Sequence, residues 1–598
     1  MASTQVAPPP PATTTRRMGH VEYKWVALGV VLLGTIMTIL DATIVNIAVP
    51  TLQSAFHVSS YNDIAWVVTG YLLAQGAVIP MTGWVTDRWG TKRVYLITIA
   101  LFTLASMLCG VAPNLPALIV FRILQGLGGG MLMPIGMTII LQAVGPQQMG
   151  KVMGIFGVPM LIAPALGPVL GGWFISGFGS EGWRLIFYIN VPIGILASVL
   201  AALWLVESKR SHRLRLDVFG MLTATPAVVA LMYAVDRSTE LGWGSALVVG
   251  LLTYAGLTFA AFVLSQTGRR RAAALLALAI GLGSLAMAAY NTATFGLVSV
   301  ETLTILGGGL ITLGAFAKSY SNTQENLLEL SLFRDATFAW AMVLSFIIVT
   351  VMFGAMLLIP LYLQQIHGWS AIETGLALLP QAGAAAIAMP LGGYLTDRFG
   401  PRPVVLSGVV LLAIAGVVLA QLQTNSGFGV LAVALALRGF AMGFTMMPST
   451  AAALARVPKR FASRASSITN TLQRAGSSVG IAILVTILAA QFVPASKEVS
   501  CAPSAAVQTS APGVCGTIQT QLANSASARG SRSVPTNTPP DVRNFASDYV
   551  NNVSTRAFDR VFAFIAILSA FGVIPALFLR RPERDTGEAA QAPVELAA

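Results

Sequence analysis

The chain has 598 residues, of which 55% are hydrophobic and only 10% charged, with a mean hydropathy of +0.75 and a formal net charge of +13. A soluble domain carries about 25% charged residues, so this composition excludes an ordinary soluble enzyme or binding module and predicts an all-α polytopic membrane protein. The excess positive charge does not require a nucleic-acid partner, because it gathers in short turns on one side of the apolar segments.

Residues 1–24 open with "MASTQVAPPPPATTTRR", polar and Pro/Thr-rich with no apolar core before a cleavage site, which predicts a disordered cytoplasmic tail. Hydropathy then gives sixteen apolar segments, starting near Trp25, Asp63, Val94, Leu115, Val152, Leu185, Val218, Ser245, Ala272, Phe295, Phe338, Ala371, Val404, Gly427, Ala465 and Ala557. The turns "DRWGTKR", "ESKRSHRLR", "TGRRR", "DRFGPRP" and "ARVPKRFASR" and the terminal "RRPER" fall on one side, and the short loops opposite carry a single basic residue, Arg237. Lys and Arg accumulate on the cytoplasmic side of membrane proteins. Both termini are therefore expected in the cytoplasm, with the protein in the plasma (cytoplasmic) membrane.

The first segment contains "LDATIVNIAVP" (40–50), in which Asp41 lies about 24 Å along a helix that starts at Trp25. Carboxylates inside spans are costly and usually functional, and Asp41 is the one acid well inside a clear span; Glu301, a second candidate, lies in the inserted hairpin. Asn46 is a further polar candidate on this segment. The turn after the second segment, "GWVTDRWGTKR" (83–93), places Asp87 at a helix end, with Arg88 and Arg93 flanking Gly90. Such a carboxylate can accept hydrogen bonds from a neighbouring helix N-terminus and pair with an Arg, so the turn is expected to hold two helices together in one conformation. Cys109 is expected to be inert packing.

In the fourth segment, "FRILQGLGGGMLMP" (121–134), Arg122 lies about 12 Å in from Asn114, at the depth of Asp41. An Arg keeps its charge, so Asp41 is its natural partner, and Gln125 is a polar candidate one turn on. Gly126 and Gly130 read as close-packing sites, since "GLGGG" inside a span without a following Gly-Lys-Ser is no phosphate loop. The fifth segment carries "APALGPVLGG" (163–172), where Ala163, Gly167 and Gly171 allow close helix approach and Pro164 and Pro168 bend the helix, with Gly172 closing the motif.

Two linker segments (207–267) and an inserted hairpin with an amphipathic stretch (268–335) separate the first six segments (25–206) from the last six (336–580), ahead of a tail at 581–598. The second half repeats the first. "GYLTDRFGPRP" (393–403) returns with Asp397 and Arg398, Pro360 and His367 match Pro50 and His57, and Val351 stands where the first half has Asp41. Arg438 and Arg474 lie deep in its fourth and fifth segments, and with Asn46 and Gln125 they are the polar residues expected to line a wet cavity. An external loop, 493–556, holds Cys501 and Cys515, which either pair outside the cytoplasm or stay free. This loop is also the one place for an external partner protein.

Repeated bundles facing each other across a midplane site are the architecture of secondary transporters. In "LDATIVNIAVP", "GWVTDRWGTKR", "RILQGLGGG", "APALGPVLGG" and "WRLIFYINVPIG" (183–194) the chain, from Trp25 to Leu579, resembles the major facilitator superfamily and its fourteen-span drug:proton antiporter branch. The resemblance implies two pseudo-symmetric six-helix bundles with central helices, about 14–16 spans, four rather than two of them additional. It implies a latch at Asp87 that stabilises an outward-facing state, a part for Arg122 in proton transfer, and export rather than uptake from the fifth-segment motif. Proton-coupled efflux of amphipathic, often cationic, compounds is the expected function, and export of one endogenous metabolite is the alternative. Neither catalysis nor a cofactor or metal is expected. The expected partners are small-molecule substrates, protons and the lipid bilayer.

Overall fold

The structure, a computed structural model, describes residues 17–18, 21–58, 61–144, 148–208, 217–267, 269–295, 300–318, 329–369, 371–422, 427–458, 461–498, 501, 503, 507–508, 514–515 and 540–580. Beyond a two-residue ladder of Arg17–Met18 with Val21–Glu22, the fold consists of helices. In a bilayer this is forced, because backbone polar groups must be satisfied within each span.

The first half comprises α1 (Tyr23–Ala55), α2 (Tyr61–Val78), which continues through a 3-10 turn (Ile79–Met81) into α3 (Thr82–Trp89), α4 (Thr91–Gly110), α5 (Leu115–Ala143), α6 (Met149–Phe178) and the pair α7 (Gly182–Tyr188) and α8 (Asn190–Trp204). Four central helices follow: α9 (Val218–Leu241), α10 (Ala246–Gln266), α11 (Arg270–Phe295) and α12 (Val300–Lys318). The second half comprises α13 (Ala336–Ile366), α14 (Ala371–Ala377), α15 (Leu379–Phe399), α16 (Pro401–Leu419), α17 (Phe428–Ala455), α18 (Ala462–Glu498), α19 (Pro540–Phe571) and α20 (Val573–Leu577). Thirteen helical stretches among the described residues are long and apolar enough to cross a membrane. The hairpin adds two shorter apolar pieces, Arg271–Ser284 and Leu306–Phe316.

The sixteen segments read from the sequence recur, with three corrections. The last one starts at Pro540, not near Ala557, and α18 runs to Glu498, so the loop between them is shorter than 493–556. The face opposite the basic turns also carries Arg184, which pairs with Glu181 and donates to the Gly110 carbonyl at 2.7 Å, capping the end of α4. Finally, a second acid, Asp559, lies within a span, on α19.

The halves meet through α6 against α15 and α17, and through α18 against α3 and α5. Close approach at these seams needs residues without side chains. A Cβ on Gly154 would collide with the Met389 backbone, and one on Gly393 with the backbone of Gly150. The central helix α9 touches α2 on one half and α18 on the other. The hairpin α11–α12 packs on α9 and α10, where the Tyr254 hydroxyl donates to the Gly308 carbonyl at 2.8 Å.

Candidate functional site

Five helices converge on Asp41. Arg122 on α5 donates from Nη1 to Asp41 Oδ2 at 2.7 Å, and Gln125, one turn on, donates from Nε2 to Oδ1 at 2.8 Å. Asn190, at the start of α8, donates from Nδ2 to the same Oδ1 at 2.9 Å. Ser106 on α4 accepts from both Gln125 (3.0 Å) and Asn190 (3.1 Å), and passes its own proton to the Phe187 carbonyl at 2.9 Å. Arg122 also reaches Gln125 Oε1 (2.8 Å) and the Val67 carbonyl on α2 (3.0 Å). Its guanidinium carbon lies 4.1 Å from the centre of the Tyr71 ring, a cation–π contact, and Tyr71 donates to the Thr38 carbonyl of α1 at 3.3 Å.

Asp41, Arg122, Gln125, Ser106, Asn190 and Tyr71 are all 0% exposed. Each of the three side chains that hold the carboxylate is a donor. Adding a proton to it would remove the charge that holds Arg122 and set an O–H against an N–H, so the cluster must rearrange. The α6 motif forms the adjoining wall. Gly167 lets α6 approach α1 at Thr43 and Ile44, close to Asp41, Ala163 and Gly171 are buried beside it, Pro164 is half-buried, and Gly172 faces open space. The side chains of Pro168 and Asn46 lie outside the described residues, as does that of Glu301.

At the basic face, Asp87 accepts a short hydrogen bond from Ser463, and the Arg464 Nε is 3.7 Å from its other oxygen. Both partners stand in the first turn of α18. The repeat partner Asp397 accepts from the backbone amides of Gly150 (2.9 Å) and Lys151 (2.8 Å), at the N-terminus of α6. Each half thus places its repeated Asp on the first turn of a helix from the other half, where unsatisfied N–H groups and the helix dipole favour an anion. Two more cross-half hydrogen bonds lie deeper: Ser467 donates to the Ile79 carbonyl (2.7 Å) and Ser466 to that of Pro134 (2.8 Å).

Gly90, at φ +92°, makes the turn that separates α3 from α4. Beside it, Glu207 accepts from the amides of Lys92 (3.0 Å) and Arg93 (3.1 Å) and so caps α4. Arg88 is half-buried, and the exposed Arg398 lies over the Phe399 ring.

The cavity candidates separate. Gln125 belongs to the Asp41 cluster. Arg438, 2% exposed, is sunk in its own half, donating to Gln381 Oε1 (2.8 Å) and the Met352 carbonyl (2.9 Å), so it does not line open space. Arg474 is partly exposed. Cys501 and Cys515 are joined by a disulfide, and Cys109 is buried.

Asn190, Ser106 and Glu207 did not stand out in the sequence. Asn190 sits in the quoted "WRLIFYINVPIG" and is a polar side chain within an apolar run, which is its one signal. Ser106 gives no signal, because a small hydroxyl in a helix satisfies itself on a nearby carbonyl wherever it lies.

The model of the Major Facilitator Superfamily matches residues 31–321 and 314–481. The chain is 31% identical over 564 residues to the multidrug resistance protein B homolog of Mycobacterium tuberculosis (strain ATCC 25618 / H37Rv), covering 93% of this chain and 90% of that one. It is 27% identical to the tetracenomycin C resistance and export protein of Streptomyces glaucescens, over 78% of this chain and 76% of that one. Among solved structures, a double-tryptophan mutant of XylE superposes with a TM-score of 0.52 over 94% of this chain and 97% of that chain, at 14% identity, a likeness of fold alone. With two repeated helical halves and family matches spanning most of its length, the chain belongs to the Major Facilitator Superfamily, and is a transporter rather than an enzyme.

Proposed function

We propose that the protein is a proton-coupled exporter of amphipathic compounds in the cytoplasmic membrane, with Asp41 as the proton carrier and Arg122 as the group that senses its charge. The observation that carries this reading is the Asp41–Arg122 pair, 2.7 Å apart and 0% exposed, in one half only. The second half has Val351 in place of the acid, so proton chemistry at this depth belongs to α1 and α5. In the closed cluster neither aqueous phase reaches the carboxylate. Loading a proton therefore requires the helices around it to part, which links protonation to the motion of the halves.

Asp87 and Asp397 act as the latches of this cycle. Their contacts tie the halves together at the basic face, which we take to be the cytoplasmic one from its Lys and Arg content. The cargo reading, toxic amphipathic compounds, is supported by relatives named for multidrug resistance. The relative named for tetracenomycin C resistance and export supports the alternative, a single endogenous metabolite. One proton crossing 100 mV supplies about 2.3 kcal/mol and each pH unit about 1.4 kcal/mol, enough for a substrate gradient of tens to hundreds.

The test is uptake of a fluorescent amphipath into proteoliposomes under an imposed pH gradient. Transport should follow the gradient in the wild type and lose that dependence in Asp41→Asn. Gradient-driven transport by the variant at the wild-type rate would refute the assignment.

A further inference from the structure

The three deep arginines are treated differently by the fold. Arg122 has a carboxylate, and Arg438 is enclosed by an amide and a carbonyl. Arg474, on α18, makes no ion pair and no side-chain hydrogen bond among the described residues. It stands about 18 Å along α18 from Ala462, near mid-membrane.

Its place on the helix shows what it faces. Ser463, Ser466 and Ser467 bond to the first half and seal the seam, and the buried Asn470 donates to the Ser466 carbonyl of its own helix; all four are at most 4% exposed. Arg474 continues the same stripe. From residue 471 to 475 every side chain is partly exposed, so the tightly buried stretch of this stripe ends at Asn470. Arg474 therefore places a fixed positive charge one turn beyond the sealed stripe, at a partly exposed position.

No acid forms an ion pair with it among the described residues. Of the acids in spans away from the basic face, Asp41 is 0% exposed and held by Arg122, Asp63 and Glu373 stand in the first turns of α2 and α14, Asp236 accepts from Thr69 near the end of α9, and Asp548 and Asp559 lie on α19. A guanidinium cannot shed its proton and at mid-membrane requires an anionic or dipolar partner.

We propose that Arg474 is the anion-recognition residue of the substrate cleft, and that the cargo includes amphipathic monoanions bearing a carboxylate, sulfonate or phenolate. This inference rests on the exporter reading and narrows its substrate class, away from the organic cations expected from the sequence. The planar fork of donors suits a carboxylate or sulfonate.

The test is equilibrium binding of two probes of opposite charge, 8-anilinonaphthalene-1-sulfonate and tetraphenylphosphonium, to the full chain in lipid nanodiscs, with protein-free discs subtracted. The wild type should prefer the sulfonate. Arg474→Gln should weaken its binding about tenfold or more, the loss of one charge-assisted contact, and Arg474→Lys should retain most of it. Arg474→Glu should reverse the preference toward the cation, an outcome that misfolding cannot produce. A wild type that prefers the cation, or an Arg474→Gln variant that binds the sulfonate with unchanged affinity, would overturn the proposal. Binding is read without a gradient, so a failure of proton-driven transport would sink the exporter reading while leaving this result standing.

Discussion

At the scale of single residues, the Asp41–Arg122 pair, which we propose couples protons to transport, is also a liability. Removing one partner of a buried ion pair leaves an uncompensated charge and costs about 3–5 kcal/mol. Asp41→Asn should therefore lower the melting temperature in detergent as well as abolish coupling. The double variant Asp41→Asn/Arg122→Gln should recover much of the melting temperature without recovering proton-driven transport. A thermal melt beside a transport assay separates the two roles, and recovery of both would reduce the pair to packing. The pair was legible in the sequence because counting 1.5 Å per residue along two antiparallel helices sets Asp41 and Arg122 at one depth. Asn190 was not, since an amide in a helix gives no indication of which neighbour it will face.

Among elements, the contacts that matter join the first turn of one helix to the last turn of another. Asp397 satisfies two free amides at the head of α6, and Asp87 meets Ser463 and Arg464 at the head of α18. Replacing either Asp with Asn keeps the shape but weakens charge-assisted hydrogen bonds, each contributing about 1.5–3 kcal/mol. In Asp87→Asn/Asp397→Asn the basic face should open more often. A cysteine at Ala462, which is 3% exposed in the closed form, should then react with an impermeant maleimide about tenfold faster. Unchanged labelling would remove the latch role. Background is low, because of the three native cysteines one is buried and two are bonded. The repeated G-x-x-x-D-R-x-G frame announced these turns from sequence. The Glu207 cap on α4 was not announced, because it depends on a tertiary approach between distant turns. Nor was the start of α19 at Pro540, since its first turns are polar and gain their stability from packing on α13, α16 and α18.

For the whole molecule, the two halves and their seams set what can be removed. The hairpin α11–α12 leans on α9 and α10, whereas α9 itself leans on both halves. Deleting 272–317 should leave transport within about twofold of wild type, a change smaller than 0.5 kcal/mol. Loss of transport with intact expression would show that the hairpin supports the core. Fold class and repeat were legible here because lipid allows only long apolar helices. How the four central helices pack was not, because apolar surfaces in a bilayer carry little information about their neighbour.

The sulfur bridge between Cys501 and Cys515 has a consequence for orientation. It lies between α18 and α19, on the side away from the arginine-rich turns. Thiols in the cytosol stay reduced, while crosslinked pairs persist outside it. Redox chemistry thus supplies a second criterion, independent of charge, and it agrees with the orientation we propose, with the bridged cysteines outward and the repeated aspartates toward the cell interior.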